Sequence, residues 1–378
     1  MSQSQPLKVG HVDTGLTLRG GQRQLLLLAK GLRAGGHQQL IVCPLESELH
    51  LCATAEGFQV MGLPTNDFKH LQGTRQLRRR LRNDGVELLH AHDGMGQTVA
   101  WMASLGTSVR RIATRRVIYL PKRRLDYRLK YTHTCHAVIA VSEFIGRILK
   151  DAGVPAGMIN VIPDGIEIPQ CLPDATARNA TRTAWKLSED EFVVGHLGSL
   201  SAEKGQDLAL QAFDILTERL PNARLVLGGN ISAEDLATSS LAKAVACGRV
   251  LLAGYQENLF EFFSGLDLYI MPSRSEGLGS AALLAMAHAL PVVATRVGGL
   301  PEVVEDGKTG SLVEPESPQA LADAIVAAAS NPEWLRELGL NARQRAKEFS
   351  ADKMVARTEA LYRRLLGVHE TSTRTPNH

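Results

Sequence analysis

At 378 residues, with 44% hydrophobic and 21% charged composition, the chain exceeds what one core supports and suits two ordinary globular domains. Its five cysteines, odd in number and without a CxxC pair or regular spacing, point to a reduced cytoplasmic setting. MSQSQPLKVGHV lacks a leader pattern and no apolar run reaches the length of a membrane span, so the expected protein is soluble or peripheral on the inner face of the membrane. The net charge of +3 hides an asymmetry: 22 basic residues oppose 13 acidic ones up to Ile168, a balance of +9, and 20 oppose 26 beyond it, a balance of −6.

In chain order, strand-like runs start at Leu7 (LKVGH), reach Cys43 (QQLIVC), and start again at Phe58, Val86 (VELLHAH), Arg111, Ala137 and Asn160. Helical stretches are predicted at residues 21–34, 74–84, 97–105, 126–135 and 142–152. Such alternation is the mark of a parallel α/β sheet, here one domain over residues 1–168. After VIPDGIEIP the texture loosens through Pro169, Pro173 and a polar Ala/Thr/Arg/Asn stretch, which reads as a linker. A second series over residues 169–350 has strands from Phe192 (FVVGHLGS), Ala223, Val250, Leu266 and Pro291 (PVVAT), with helices at 206–220, 233–246, 258–264, 280–290, 318–330 and 333–349. A helix at 351–366 follows, and the polar tail 367–378 is expected to be disordered.

Glycine-bearing turns follow several strands, where open α/β sheets bind ligands. Between Met271 and Ser280 the turn PSRSEGLG leads into an apolar helix, and its freed amides and the helix dipole suit a phosphate, unless the glycines serve only the turn. In HLGSLSAEKG, Gly198 ends a strand and Lys204 stands just before a helix, a point charge suited to a diphosphate. Gly20 and Gly21 open the first helix without GxGxxG or P-loop spacing, so neither a nicotinamide dinucleotide nor ATP is indicated. His90 and His92 share one face of a strand end, readable as polar lining, packing or, with Asp93, metal ligands; further ligands at a suggestive spacing are lacking, so no metal is expected. From Arg110 to Lys130 nine basic residues face one acid, Asp126. That run suits an anionic partner or is merely solvated; with Val117, Ile118, Tyr119, Leu120 and Leu125 it also suits an anionic membrane surface. No aromatic-interleaved basic motif suggests nucleic acid.

Taken together, GG in the first loop, GSLSAEKG, PSRSEGLG, GGLPEVV and DGKTG resemble the retaining glycosyltransferases of family 4, closely in the second half and loosely in the first. The resemblance implies a GT-B fold, two Rossmann-like parallel-sheet domains facing a central cleft, with an N-terminal acceptor domain, a C-terminal nucleotide-sugar donor domain and a final helix returning to the first. Glu276 then contacts the donor sugar; Gly277, Leu278, Gly279 and Ser280 hold sugar and phosphate through their amides; Gly198 and Ser199 belong to the phosphate loop. Lys204 neutralises the diphosphate, Gly20 and Gly21 close over the donor, and His92 is the first-domain cleft residue.

Three positions depart from the family pattern. Leu284 stands where a second glutamate usually holds the ribose, Ser199 replaces a frequent arginine, and ATRRV puts Arg115 and Arg116 where many members carry a histidine. The two arginines are candidate phosphate or acceptor contacts. The implied activity is metal-independent, retaining transfer from a nucleoside-diphosphate sugar to a glycan or lipid-linked acceptor, as in cell-surface polysaccharide or lipopolysaccharide assembly. Alternatives are a catalytically degenerate sugar-nucleotide or glycan binder, and a GT-B epimerase or phosphorylase.

Overall fold

The computed structural model describes residues 5–64, 70–118, 124–231 and 240–368. Tyr119 and Leu120 of the basic segment, the first part of the helix expected at 233–246, and the tail from 369 lie outside the described residues. The chain divides into two compact units, Met1–Gly165 with Ala351–His378, and Ile166–Ser350.

The first unit holds seven strands: β1 (Lys8–Val12), β2 (Gln38–Pro44), β3 (Gln59–Leu63), β4 (Leu88–Ala91), β5 (Arg110–Arg115), β6 (Ala137–Ala140) and β7 (Ile159–Val161). All pair in parallel in the order β3-β2-β1-β4-β5-β6-β7. Because side chains alternate along a strand, residues of one parity share a face. On one face Leu7 and Val9 of the first strand region, Leu88, Ile112, Ala137, Ile139 and Ile162 form an apolar floor. The helices Gly20–Ala34 and Ala351–Leu366 cover it with Leu28, Leu32, Met354, Leu361 and Tyr362. Further along the same strands the apolar rows give way to His11 and Asp13, His90 and His92, and Thr114, all buried.

The second unit has six strands, β8 (Phe192–Leu197), β9 (Ala223–Gly228), β10 (Val250–Gly254), β11 (Leu268–Met271), β12 (Val292–Thr295) and β13 (Gly310–Val313), parallel in the order β10-β9-β8-β11-β12-β13. The sheet's central strands are nearly all apolar, as strands buried on both faces must be. β13 follows the DGKTG turn and has only the four residues GSLV, too short to alternate visibly.

The stretch expected to be a linker contains the helix Ala175–Ala184, with Asp174 capping it by accepting from the Ala177 amide at 2.8 Å. Its Arg182 is buried; Nη2 donates to Asp267 Oδ2 at 2.6 Å and Nη1 to the Glu191 carbonyl at 2.9 Å. The unit therefore begins at Ile166, three residues before the boundary expected from sequence, and this polar helix is part of its body.

Candidate functional site

In each sheet the strand order reverses once, between β1 and β4 and between β8 and β11. Ligands of open α/β sheets bind at such switch points, outside the carboxyl ends of the two strands. The loops leaving β8 and β11 carry Gly198, Ser199 and Lys204, and Glu276 to Ser280. Those leaving β1 and β4 lead to Gly20 and Gly21 and to His92.

In the second unit Lys204 ends a short 3-10 turn, Ala202–Lys204, that feeds the helix Gln206–Leu216. Its Nζ donates to Glu276 Oε2 at 2.6 Å, so the structure brings together the two charged residues singled out from sequence. Gly277, Leu278 and Gly279 are buried behind them, and Ser280 starts the helix Ser280–Ala287. Ser199 is exposed, and its carbonyl accepts from Gln206 Nε2 at 2.9 Å. Arg274, which the sequence did not single out, braces the two loops. It donates to both carboxylate oxygens of Asp207, at 2.7 and 2.8 Å, to Glu316 Oε1 at 2.6 Å and to the Ala202 carbonyl at 2.9 Å. The Gly299 amide holds the Glu276 carbonyl at 3.0 Å. Leu284, one turn into the following helix, is half-buried.

In the first unit the helix Gly20–Ala34 opens on exposed Gly20, where a Cβ would meet nothing within 4 Å. At Gly21 the neighbour is Arg116 Cδ, 4.0 Å from the position a Cβ would take. Arg116 is itself held by Asp164, its Nε lying 3.0 and 3.1 Å from the two carboxylate oxygens. Burial raises the Asp164 carboxyl above its ordinary value and outweighs the opposing pull of Arg116. Arg115 closes β5. Asp13, pushed upward by burial and then by the Asp93 charge, accepts from the Gly15 amide and from Gln22 Nε2, both at 2.8 Å, and so fixes the loop before Gly20.

His92 is buried, and its Nε2 lies 3.1 Å from His11 Nδ1. His11 Nε2 in turn lies 2.7 Å from Gln39 Oε1, an acceptor, so it is the protonated nitrogen; His92 Nε2 then donates to His11. His90 is spent on both sides, at 2.6 Å from Thr114 Oγ1 and 2.6 Å from Tyr362 Oη. Desolvation holds all three rings neutral, His11 at a pKa of about 4 and the others well below 6.5. Their ring nitrogens lie within 4.8 Å of one another, the spacing of a metal set, but the two short bonds of His90 make a hydrogen-bonded network the better description. His11 was missed in sequence, although LKVGH and VELLH end alike and the structure pairs His11 with His90 across the switch point. Asp93 is no ligand to these rings: it caps the helix Gly94–Ser104 and binds Thr14.

Two family descriptions match this chain. "Glycosyltransferase Family 4" covers residues 18–169 and "Glycosyl transferases group 1" covers residues 177–345. A GDP-mannose-dependent alpha-(1-6)-phosphatidylinositol monomannoside mannosyltransferase of Mycolicibacterium smegmatis is 31% identical over 262 residues, 64% of this chain and 68% of the relative. The chain belongs to glycosyltransferase family 4. A D-inositol 3-phosphate glycosyltransferase of Corynebacterium urealyticum is 29% identical over 303 residues, 74% of this chain and 72% of that one. Among solved structures, Anabaena HepE in complex with UDP and glucose superposes with a TM-score of 0.82 at 21% identity, covering 94% of this chain and 99% of HepE, a likeness of fold. The GT-B class expected for a family 4 glycosyltransferase is thus the fold of this chain, with Rossmann-like sheets of seven and six strands. Among the described residues no helix is long and apolar enough to cross a membrane.

Proposed function

We propose that this family 4 glycosyltransferase catalyses retaining, metal-independent transfer of a sugar from a nucleoside diphosphate to a phosphorylated, glycan or lipid-linked acceptor. The observation that carries the reading is the meeting of Lys204 and Glu276 at the switch point of the second sheet. As the glycosidic bond breaks, negative charge grows on the diphosphate, and a cation and amide donors fixed beforehand stabilise it most. Lys204 and the amides after Glu276 fill that role, Glu276 holds sugar hydroxyls, and the leaving phosphate takes the acceptor's proton. The named activities of the two relatives, on an inositol phosphate and on a phosphatidylinositol mannoside, support a phosphate-bearing acceptor. Arg116, fixed by Asp164 beside Gly21, is the residue suited to it.

The test is a thermal-shift screen of sugar nucleotides followed by transfer assays with the stabilising donor and by NMR of the product's anomeric configuration. Inversion at the anomeric carbon, or loss of activity on chelation that added metal restores, refutes the corresponding part. Arg116→Ala is expected to raise the KM for a phosphorylated acceptor about tenfold and leave donor affinity alone; unchanged acceptor kinetics would remove the assignment.

Leu284 favours a second reading, a protein that binds sugar nucleotides without turning them over, because an apolar side chain offers the ribose no hydrogen bond. Slow hydrolysis of the donor distinguishes the enzyme from the binder. Under either reading Leu284→Glu is expected to tighten a ribonucleotide by about 1.5 kcal/mol, roughly tenfold, through one charge-assisted hydrogen bond, and to do less for a 2′,3′-dideoxyribonucleotide. Equal effects on both nucleotides would place the ribose elsewhere.

A further inference from the structure

The Lys204–Glu276 bond is not what joins the two loops. Arg274 already ties the Glu276 turn to Asp207, Glu316 and the Ala202 carbonyl, the Arg274 amide donates to the Glu203 carbonyl at 2.8 Å, and the Gly299 amide holds the Glu276 carbonyl. The ion pair sits on this brace with side chains 28% and 15% exposed, open enough to exchange partners. A partly exposed pair of this kind is worth little to the fold. It matters instead to any anion that needs Lys204.

Resting on the reading of Lys204 as a diphosphate ligand and Glu276 as a sugar contact, we propose that Glu276 sets the specificity of this half-site for a sugar-bearing diphosphate over a bare one. A bare diphosphate that shares Lys204 with Glu276, or takes it, sets its oxygens beside a carboxylate that offers them no donor, like charge against like. A sugar-bearing diphosphate displaces the same bond but offers the freed carboxylate hydroxyl donors. Once the sugar has been transferred those donors are gone, Glu276 recaptures Lys204, and the product diphosphate is expelled. The residue that orients the donor thereby also drives product release.

Calorimetric titration of inorganic pyrophosphate into wild type, Glu276→Gln, Glu276→Ala and Lys204→Gln tests this, with thermal melts showing that each variant is folded. The two Glu276 variants are expected to bind pyrophosphate roughly threefold to tenfold more tightly than wild type, the scale of one partly exposed charge pair, and Lys204→Gln to bind it more weakly. The affinity of the donor's own nucleoside diphosphate rises likewise in Glu276→Gln, while that of the donor falls. If either folded Glu276 variant binds pyrophosphate no better than wild type while Lys204→Gln is still weakened, Glu276 merely orients the lysine and the proposal is overturned, although the diphosphate reading of Lys204 survives. If Lys204→Gln binds as wild type does, or wild type does not bind at all, that reading falls and takes the proposal with it.

Discussion

Gly298→Ala is expected to lower the transfer rate by about a hundredfold while leaving a folded protein. Gly298 has a φ of +57°, and a Cβ there would lie 1.9 Å from the carbonyl oxygen of Glu276. Two costs combine. An L-residue in the left-handed region costs roughly 1–2 kcal/mol by itself. The contact adds more, because its partner is backbone that no rotamer change can move aside, and relieving it displaces the Glu276 turn by on the order of 1 Å. A misplacement of that size costs about 10²-fold in a reaction that depends on positioning. Gly307→Ala is the control. Its φ is +74°, yet a Cβ there meets nothing within 4 Å, so it carries the strain without the collision. Urea unfolding is expected to show the backbone strain in both variants and a larger loss in Gly298→Ala, and kcat/KM for transfer to fall only in Gly298→Ala. Equal kinetics in the two would mean that the Glu276 turn tolerates the shift, and Glu276 would lose its place as an orienting residue.

The sequence periodicity carried most of the sheet but not the pairing that builds the sites. Apolar runs located the first twelve strands because strands buried from both sides leave a plain apolar signal, whereas the four residues of β13 contain a glycine and a serine and leave none. The helix Ala175–Ala184 escaped because ATARNATRTA has no stripe of large apolar side chains; its stability comes from the Asp174 cap and from Arg182, whose guanidinium is satisfied by the Glu191 carbonyl and by Asp267, distant in sequence. The glycine turns around Lys204 and Glu276 were legible as ligand loops. Their contact was not, since 72 residues separate them and only the order of strands, with β8 beside β11, puts them together. Likewise the paired arginines stood out in ATRRV, but the partner of Arg116 is Asp164, 48 residues away, and nothing in either segment names the other.

His92 shows the same limit from the other side. Sequence placed it at a strand end as a cleft-lining residue, and the structure buries it against His11 and His90, with Gln39 on the far side of His11, with consequences for stability that can be measured. Acidification is expected to destabilise the first unit between about pH 6.5 and 4. The folded-state pKa of His11 is depressed to about 4 and those of His90 and His92 are depressed well below 6.5, so the unfolded chain binds more protons in that window. The contribution is therefore fully present above pH 6.5 and is lost as pH falls through the window toward the folded values. For His11 alone, linkage gives about 3 kcal/mol. Charging one ring also raises the cost for the next, because the centroids of His90 and His92 are 4.1 Å apart and Arg116 adds its own positive charge. Asp13 and Asp164 act with the opposite sign: burial raises their carboxyls, so each favours the fold as it takes up a proton, and they offset part of the loss near the lower end. Urea midpoints measured from pH 7.5 to 4 are expected to fall steeply in wild type and less steeply in His11→Gln, whose amide keeps a hydrogen-bonding end but cannot be charged. The slope is the readout, since the variant is less stable at every pH. A wild-type curve flat down to pH 4.5, or equal slopes in the two proteins, would show that protons reach these rings without cost and that the network is more open to water than its burial indicates.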